Sequence, residues 1–71
     1  MATFAIEGDA IRCLEGERGS LAPGAIVGTP DGFHIETGPS IEGLGLDGVS
    51  APTREALIET LENGGHIIVG A

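Results

Sequence analysis

The chain has 71 residues and carries 11 acidic residues against three arginines, which gives a formal net charge of −8 at pH 7. It contains no lysine and cannot build a basic stripe, so we do not expect it to bind nucleic acid or an anionic membrane surface. Schiff-base chemistry and the attachment of biotin or lipoate also need a lysine, and so short a chain leaves no interior volume for a deep catalytic pocket.

The cysteine content and the start of the chain predict where the protein resides. The single cysteine, Cys13, cannot form an internal disulfide. The segment Met1–Phe4 has no basic stretch followed by an apolar run, so it does not resemble a signal peptide. No apolar stretch approaches the ~20 residues of a membrane span. We therefore expect one cytoplasmic domain over residues 1–71.

The first half of the sequence reads as short strands separated by turns, which is typical of a small sandwich or barrel. Thr3–Glu7 alternates, with Phe4 and Ile6 on one face, and a Gly-Asp turn leads to a returning strand at Ile11–Leu14. The glycine-containing and polar segment 15–23 is predicted to be a loop.

Two further strands follow, at residues 25–27 and at Phe33–Thr37, joined by a Pro-Asp-Gly turn. Alternation in the second of them predicts three inward and two outward side chains. The inward side chains are Phe33, Ile35 and Thr37, and the outward ones are His34 and Glu36.

The C-terminal third combines a weak strand, one helix and a last strand. Ile41–Leu46 is predicted to be a strand that its two glycines bend. Ser50 has the hydroxyl of a helix cap, and an apolar helix face ends before Gly64 and Gly65, so a helix is predicted over residues 50–63. His66–Gly70 is apolar enough for a strand covered on both faces. The order predicts a mainly β, α+β domain, in which about five to six short strands form a small open barrel and the helix plugs one end.

The order of turns and strands resembles the small C-terminal domain of the formyltransferases, most familiar from methionyl-tRNA formyltransferase. The matching features are Pro23-Gly24, Ile26-Val27, Asp31-Gly32, Phe33 to Thr37-Gly38, Ile41 to Leu46, and Ser50-Ala51 at the helix start. The resemblance implies an open barrel of the oligonucleotide-binding (OB) type. It also implies a non-catalytic appended domain that helps to hold substrate while a separate Rossmann-like domain transfers the formyl group. The acidic charge fits formyltransferases that act on small molecules better than those that act on tRNA.

The residues that bear chemistry fit structural roles better than catalytic ones. His34 faces outward from its strand, His66 follows the helix end, and Cys13 lies within an apolar strand. The run Gly43–Gly48 has the spacing G-x-G-x-x-G but does not lead straight from a strand into a helix. We therefore predict no catalytic residue, no cofactor and no metal site, and no enzymatic activity of the domain on its own.

Three functions are compatible with this sequence. The first is a non-catalytic accessory or interaction domain that packs against a protein partner or helps to orient a substrate. The second is a self-assembling structural protein, in which the edge formed by Ile67, Ile68 and Val69 pairs between chains. The third is a barrel that binds a small ligand in its mouth.

Overall fold

Six short strands form one mixed sheet that curls into a half-barrel, and one helix near the C-terminal end packs against it. This computed structural model describes residues 2–70. The strands lie side by side in the order β5-β4-β3-β2-β1-β6. The predicted fold class is confirmed. The elements are β1 (Thr3–Glu7), β2 (Ala10–Cys13), a 3-10 helix (Gly16–Ser20), β3 (Gly24–Thr29), β4 (Gly32–Glu36), β5 (Ser50–Ala51), α1 (Arg54–Asn63) and β6 (Ile67–Val69).

The hairpin of β1 and β2 follows from the alternation of its side chains. Phe4 and Ile6 are fully buried, whereas Glu7 is exposed, so the predicted inward face is confirmed. The antiparallel register pairs Phe4 with Cys13 and Ile6 with Ile11, which places four apolar side chains on the core face. The returning strand ends at Cys13, one residue before its predicted end.

In the hairpin of β3 and β4, β3 is longer than predicted, whereas β4 has the predicted length but lies one residue earlier in the chain. β3 covers Gly24–Thr29, and its antiparallel ladder with β4 pairs Ile26 with Ile35 in the core. Thr37 was predicted to face inward, but it lies beyond the end of β4 and is exposed. The strand ends there because the chain turns away at Gly38, where a side chain would collide with the main chain of Pro23.

The segment Ile41–Leu46 is not a strand, contrary to the prediction. Gly43, Gly45 and Gly48 have φ angles of 78°, 79° and 83°, in a region that glycine enters at little cost. The resulting series of turns keeps the segment out of any ladder. Its two terminal side chains, Ile41 and Leu46, are nevertheless buried. The segment thus closes the core as a loop.

Residues 15–23, predicted to be a plain loop, contain the 3-10 helix Gly16–Ser20. This helix has no buried residue, so hydrogen bonds hold it in place. Arg12 donates from Nη1 to the carbonyl oxygens of Gly19 and Leu21, and Arg18 reaches across to the 41–48 loop. Two of the three cations therefore connect segments of main chain.

Ser40 is the one buried polar residue of the described core, and its hydroxyl joins two segments. It accepts a hydrogen bond from the Cys13 N–H at 3.0 Å and donates one to the Arg18 carbonyl at 2.9 Å. Arg18 in turn donates to the carbonyl oxygens of Ser40 and Glu42. The hydroxyl gives partners to buried main-chain groups that no strand pairs.

Helix α1 begins at Arg54 and not at Ser50. Ser50 and Ala51 instead form β5, which pairs with His34 and Phe33 of β4. The helix cap is Thr53, whose hydroxyl accepts a hydrogen bond from the Ala56 N–H at 3.0 Å. The predicted cap was therefore wrong by three residues, because pairing with β4 holds the earlier hydroxyl in a strand.

The buried face and the end of α1 agree with the prediction. Leu57 and Leu61 are buried against the sheet, and the glutamates of the helix are exposed. After the helix, Gly65 adopts a φ of 94°, its N–H donates to the Glu62 carbonyl, and the next N–H donates to Leu61. This pair of bonds is the Schellman motif, which satisfies the last carbonyl groups of a helix.

The last strand is shorter and more exposed than predicted. β6 comprises Ile67–Val69 and lies parallel to β1 at one edge of the sheet. Only Ile68 contacts the core, because it pairs with Phe4 and shares its face. The prediction that this strand is covered on both faces was wrong. No helix among residues 2–70 is both long and apolar enough to cross a membrane.

Replacing Thr53 by alanine removes the cap hydroxyl, so we expect the free energy of unfolding to fall by about 1 kcal/mol. The matched variant Ser50→Ala keeps the cap and loses only an exposed hydroxyl, so its effect stays within about 0.5 kcal/mol. Urea titration followed by circular dichroism measures both. A larger loss in the Ser50 variant would contradict the assigned helix start.

Replacing Ser40 by alanine leaves the buried Cys13 N–H without its partner and the Arg18 carbonyl with only its bond from the Leu21 N–H, so we expect a loss of about 2 kcal/mol of stability. The control is Ser20→Ala, because that exposed hydroxyl donates only to the nearby Glu17 carbonyl. Equal effects of the two substitutions in chemical denaturation would show that the buried hydroxyl does not stabilise the fold.

Candidate interaction surface

Two rows of side chains cross β2, β1 and β6 on the face of the sheet that points away from the core. In the first row Leu14 follows β2 and donates its N–H to the Thr3 carbonyl, and Thr3 pairs with Ile67. In the second row Ala5 pairs with Arg12 on one side and with Val69 on the other. Strand alternation sends these side chains outward, opposite to Phe4 and Ile68.

Large apolar side chains are concentrated in these two rows. Among the described residues, four large hydrophobic side chains are exposed, and three of them belong to the rows: Leu14 at 47%, Ile67 at 47% and Val69 at 42%. We call Leu14, Thr3, Ile67, Ala5 and Val69 the outer patch. A contiguous apolar patch on the surface is a stronger sign of a binding site than single exposed residues.

Arg12 lies in the second row, but its guanidinium group is directed to the side. Its Nη1 donates to the Gly19 carbonyl at 2.9 Å and to the Leu21 carbonyl at 2.6 Å. These bonds connect Arg12 to the main chain of the segment that carries Leu21, the fourth exposed large hydrophobic residue. On the β2 side, the second row therefore ends at Arg12.

The edge of β6 has main-chain groups that the sheet does not use. The N–H of Ile67 donates to the Ala2 carbonyl at 2.9 Å, so this residue points its main-chain groups toward β1. Because these groups alternate along a strand, the N–H and C=O of Ile68 point away from the sheet. No strand within residues 2–70 lies beyond β6. The sheet therefore ends on one free donor and acceptor pair beside two exposed apolar side chains.

The surface charge is almost entirely negative. All 11 carboxylates are exposed, whereas all three arginines are half-buried and donate to main-chain carbonyls. The acids reach the border of the outer patch: Glu7 ends β1, Glu15 follows Leu14, and Glu62 lies in the helix turn before β6. The outer patch itself contains no acid.

Cys13, His34 and His66 lie on β2, on β4 and directly before β6. Cys13 is buried at 1% exposure, and His34 lies on the outward face of β4, as predicted. His66 places its ring edge-on to Phe4 with the ring centres 5.1 Å apart. Its Nδ1 is buried and finds no hydrogen-bond partner within residues 2–70. No group of three potential metal ligands occurs in this part of the chain.

A concavity of about 900 Å³ lies between the end of β4 and the 41–48 loop. In the sheet, β4 is separated from β6 by three strands. It is widely open to solvent, and its lining includes Glu36, Glu42 and Asp47. The predicted G-x-G-x-x-G run lines it in a series of turns and does not begin a helix. A phosphate group would meet carboxylates here, so nucleotide binding at this concavity is disfavoured.

Comparisons of the chain with family models, with curated proteins and with solved structures found no match. We therefore infer function from the surface chemistry of the chain and from its sheet register. Of the features described, the outer patch and the adjoining edge of β6 combine apolar area with free main-chain groups. They form the candidate interaction surface.

Replacing Ile67 or Val69 by threonine keeps a β-branched side chain at an exposed position, so we expect each substitution to change stability by less than about 0.5 kcal/mol. The same change at Ile68, which contacts the core, should cost about 1 to 2 kcal/mol. Thermal and urea unfolding of the three variants measure the difference. If Ile68 proved the most tolerant, the facing of β6 described above would be wrong.

Proposed function

We propose that this domain is a non-catalytic protein-interaction module that binds a protein partner through the outer patch. The observation that carries the proposal is the clustering of Leu14, Ile67 and Val69 in adjoining rows beside an open strand edge. The core of the domain is already built from other residues, so these side chains are not needed for its interior. Burying them against another protein would remove exposed apolar surface from water.

A protein partner suits the charge of this domain better than a nucleic acid or a membrane does. All carboxylates are exposed and every arginine is engaged with main chain, so the surface repels phosphate groups. The module contributes no reacting group in this proposal, because Cys13 is buried and the His66 ring packs edge-on against Phe4. We place it in the cytoplasm, where a free buried thiol such as Cys13 stays reduced.

The resemblance to the formyltransferase C-terminal domain supports an accessory role of the same kind. The β3–β4 hairpin and the late helix follow the order of that pattern. Three of its elements differ, because Pro23-Gly24 is not a turn, Ile41–Leu46 forms turns and Ser50-Ala51 forms a strand. The formyltransferase connection stays a proposal, and the acidic surface favours a small-molecule enzyme as the partner.

Self-association is the second candidate, since β6 leaves an edge open to a second copy. Two copies would meet with a formal charge of −8 each, which opposes their approach at low ionic strength. This repulsion is the reason why we rank a different protein partner first.

The proposal is tested with a photo-crosslinking amino acid placed singly at Leu14, at Val69 or at the control position Glu59. All three positions are exposed, but Glu59 lies on the solvent side of α1. In a lysate of the source organism, we expect the same partner to be captured at both patch positions. The yield should be at least about fivefold above the control, because a bound partner stays within reach of the patch positions and not of the solvent side of α1.

Equal capture at all three positions, or capture at none, would contradict the proposed function. Mass spectrometry of the crosslinked product identifies the partner. Capture of the catalytic domain of a formyltransferase would support the accessory role. Capture of any other protein would contradict that role but would agree with an interaction function.

A further inference from the structure

We propose that the partner binds by adding a β-strand to the free edge of β6, and that the added strand alternates apolar residues and carries basic residues at its ends. This inference rests on the proposed function and states the partner's chemistry and its mode of binding. The occupant is thus a segment of another protein, and a second copy of this chain is the competing occupant.

The main chain at the edge of β6 has a donor and an acceptor for an added strand. The Ile67 N–H bonds to Ala2, directly before β1, so the N–H and C=O of Ile68 point away from β1, beyond the edge of the sheet. They can bond to one residue of an added antiparallel strand. Strand addition satisfies such groups and uses side-chain alternation for specificity. The opposite edge of the sheet, β5, has two residues only and lies against α1.

The side chains around the edge define what the added strand must carry. Ile67 and Val69 point outward on either side of Ile68 and expose almost half of their surface. An added strand would continue the two rows of the outer patch, so its residues on this face should be apolar. Cross-strand pairs of β-branched side chains stabilise such an arrangement.

The charges at the ends of the patch select a basic strand over a second copy of this chain. Glu7, at the end of β1, and Glu62, before β6, are exposed beside the patch, and no lysine is present to neutralise them. A second copy would bring the same acids to the same ends. A strand with lysine or arginine at its ends would instead meet opposite charge, which favours the correct partner and speeds encounter.

The experiment uses a labelled peptide, acetyl-Lys-Val-Thr-Val-Thr-Val-Lys-amide, and follows its fluorescence anisotropy with the full chain. Two control peptides carry glutamate in place of both lysines, or N-methyl groups on both threonines, whose main-chain N–H groups face β6 when the valines face the outer patch. We expect each control to bind at least about tenfold more weakly. Raising the salt concentration from 50 to 500 mM should weaken binding of the basic peptide by about tenfold as well.

Two variants of the protein separate the edge from the patch. Ile68→Pro removes the outward N–H without removing a bond to β1, and proline is tolerated at sheet edges for this reason. Ile68→Ala truncates the side chain but keeps the N–H, so it controls for lost packing. We expect Ile68→Ala to bind the basic peptide within about threefold of the original chain and Ile68→Pro to lose at least about tenfold.

Three results would overturn the inference. Equal binding of the N-methyl peptide would show that main-chain pairing is not used, a result that holds even if the proline variant fails to fold. Failure of all peptides, with crosslinking at Leu14 and Val69 retained, would remove strand addition but leave the proposed function. Dimers of the original chain in sedimentation that are absent from Ile68→Pro would make a second copy the occupant.

Discussion

The buried hydroxyl of Ser40 holds together three parts of this molecule that no ladder joins. β2 and β3 pair at only two positions, Ala10 with Ala25 and Ile11 with Gly24, so the strands diverge beyond them. The Cys13 N–H would face a gap there, and the Ser40 hydroxyl occupies it instead. Because the same hydroxyl donates to Arg18, the gap is closed by main chain from two loops. An uncompensated N–H at this depth would be costly.

The arginines extend this arrangement over the surface. Each guanidinium group donates to main-chain carbonyl oxygens of another segment: Arg12 to residues 19 and 21, Arg18 to residues 40 and 42, and Arg54 to Gly8. A sheet of strands only two to six residues long gains connections in this way that its ladders do not provide. The cost is electrostatic, since cations used for the main chain leave the carboxylates to dominate the surface.

The sequence predicts the local parts of this fold well and the non-local parts poorly. Alternation at Phe4 and Ile6, and the apolar face of α1, depend on near neighbours and are confirmed. The strand predicted at Ile41–Leu46 was wrong because a short apolar run interrupted by glycines is compatible with a bent strand and with a series of glycine turns, and the positive φ angles of Gly43 and Gly45 decide for the turns. The predicted helix start was wrong because Ser50 and Thr53 both have a hydroxyl that can cap a helix. Pairing with His34 holds Ser50 in a strand and leaves Thr53 as the cap.

The candidate surface was predictable only in part for the same reason. An apolar final segment indicated an edge at Ile67, Ile68 and Val69, and the structure places these residues at the edge of the sheet. The contribution of Leu14 could not be foreseen, because it depends on which strand lies next to Thr3 and in which direction. A parallel neighbour from the far end of the chain has no local signal in the sequence.

The parallel pairing of Thr3 with Ile67 also governs the order in which the domain can fold. It closes a loop that includes almost the whole chain, and such closure is slow because its entropy is lost before the contacts form. During synthesis, at ~5–20 residues per second, β1 and β2 are complete while one flank of β1 still has no neighbour. The hairpin alone exposes the side chains of Phe4 and Ile6 until α1 and β6 arrive. The core face of the first hairpin therefore becomes fully covered only after the last strand has paired with β1.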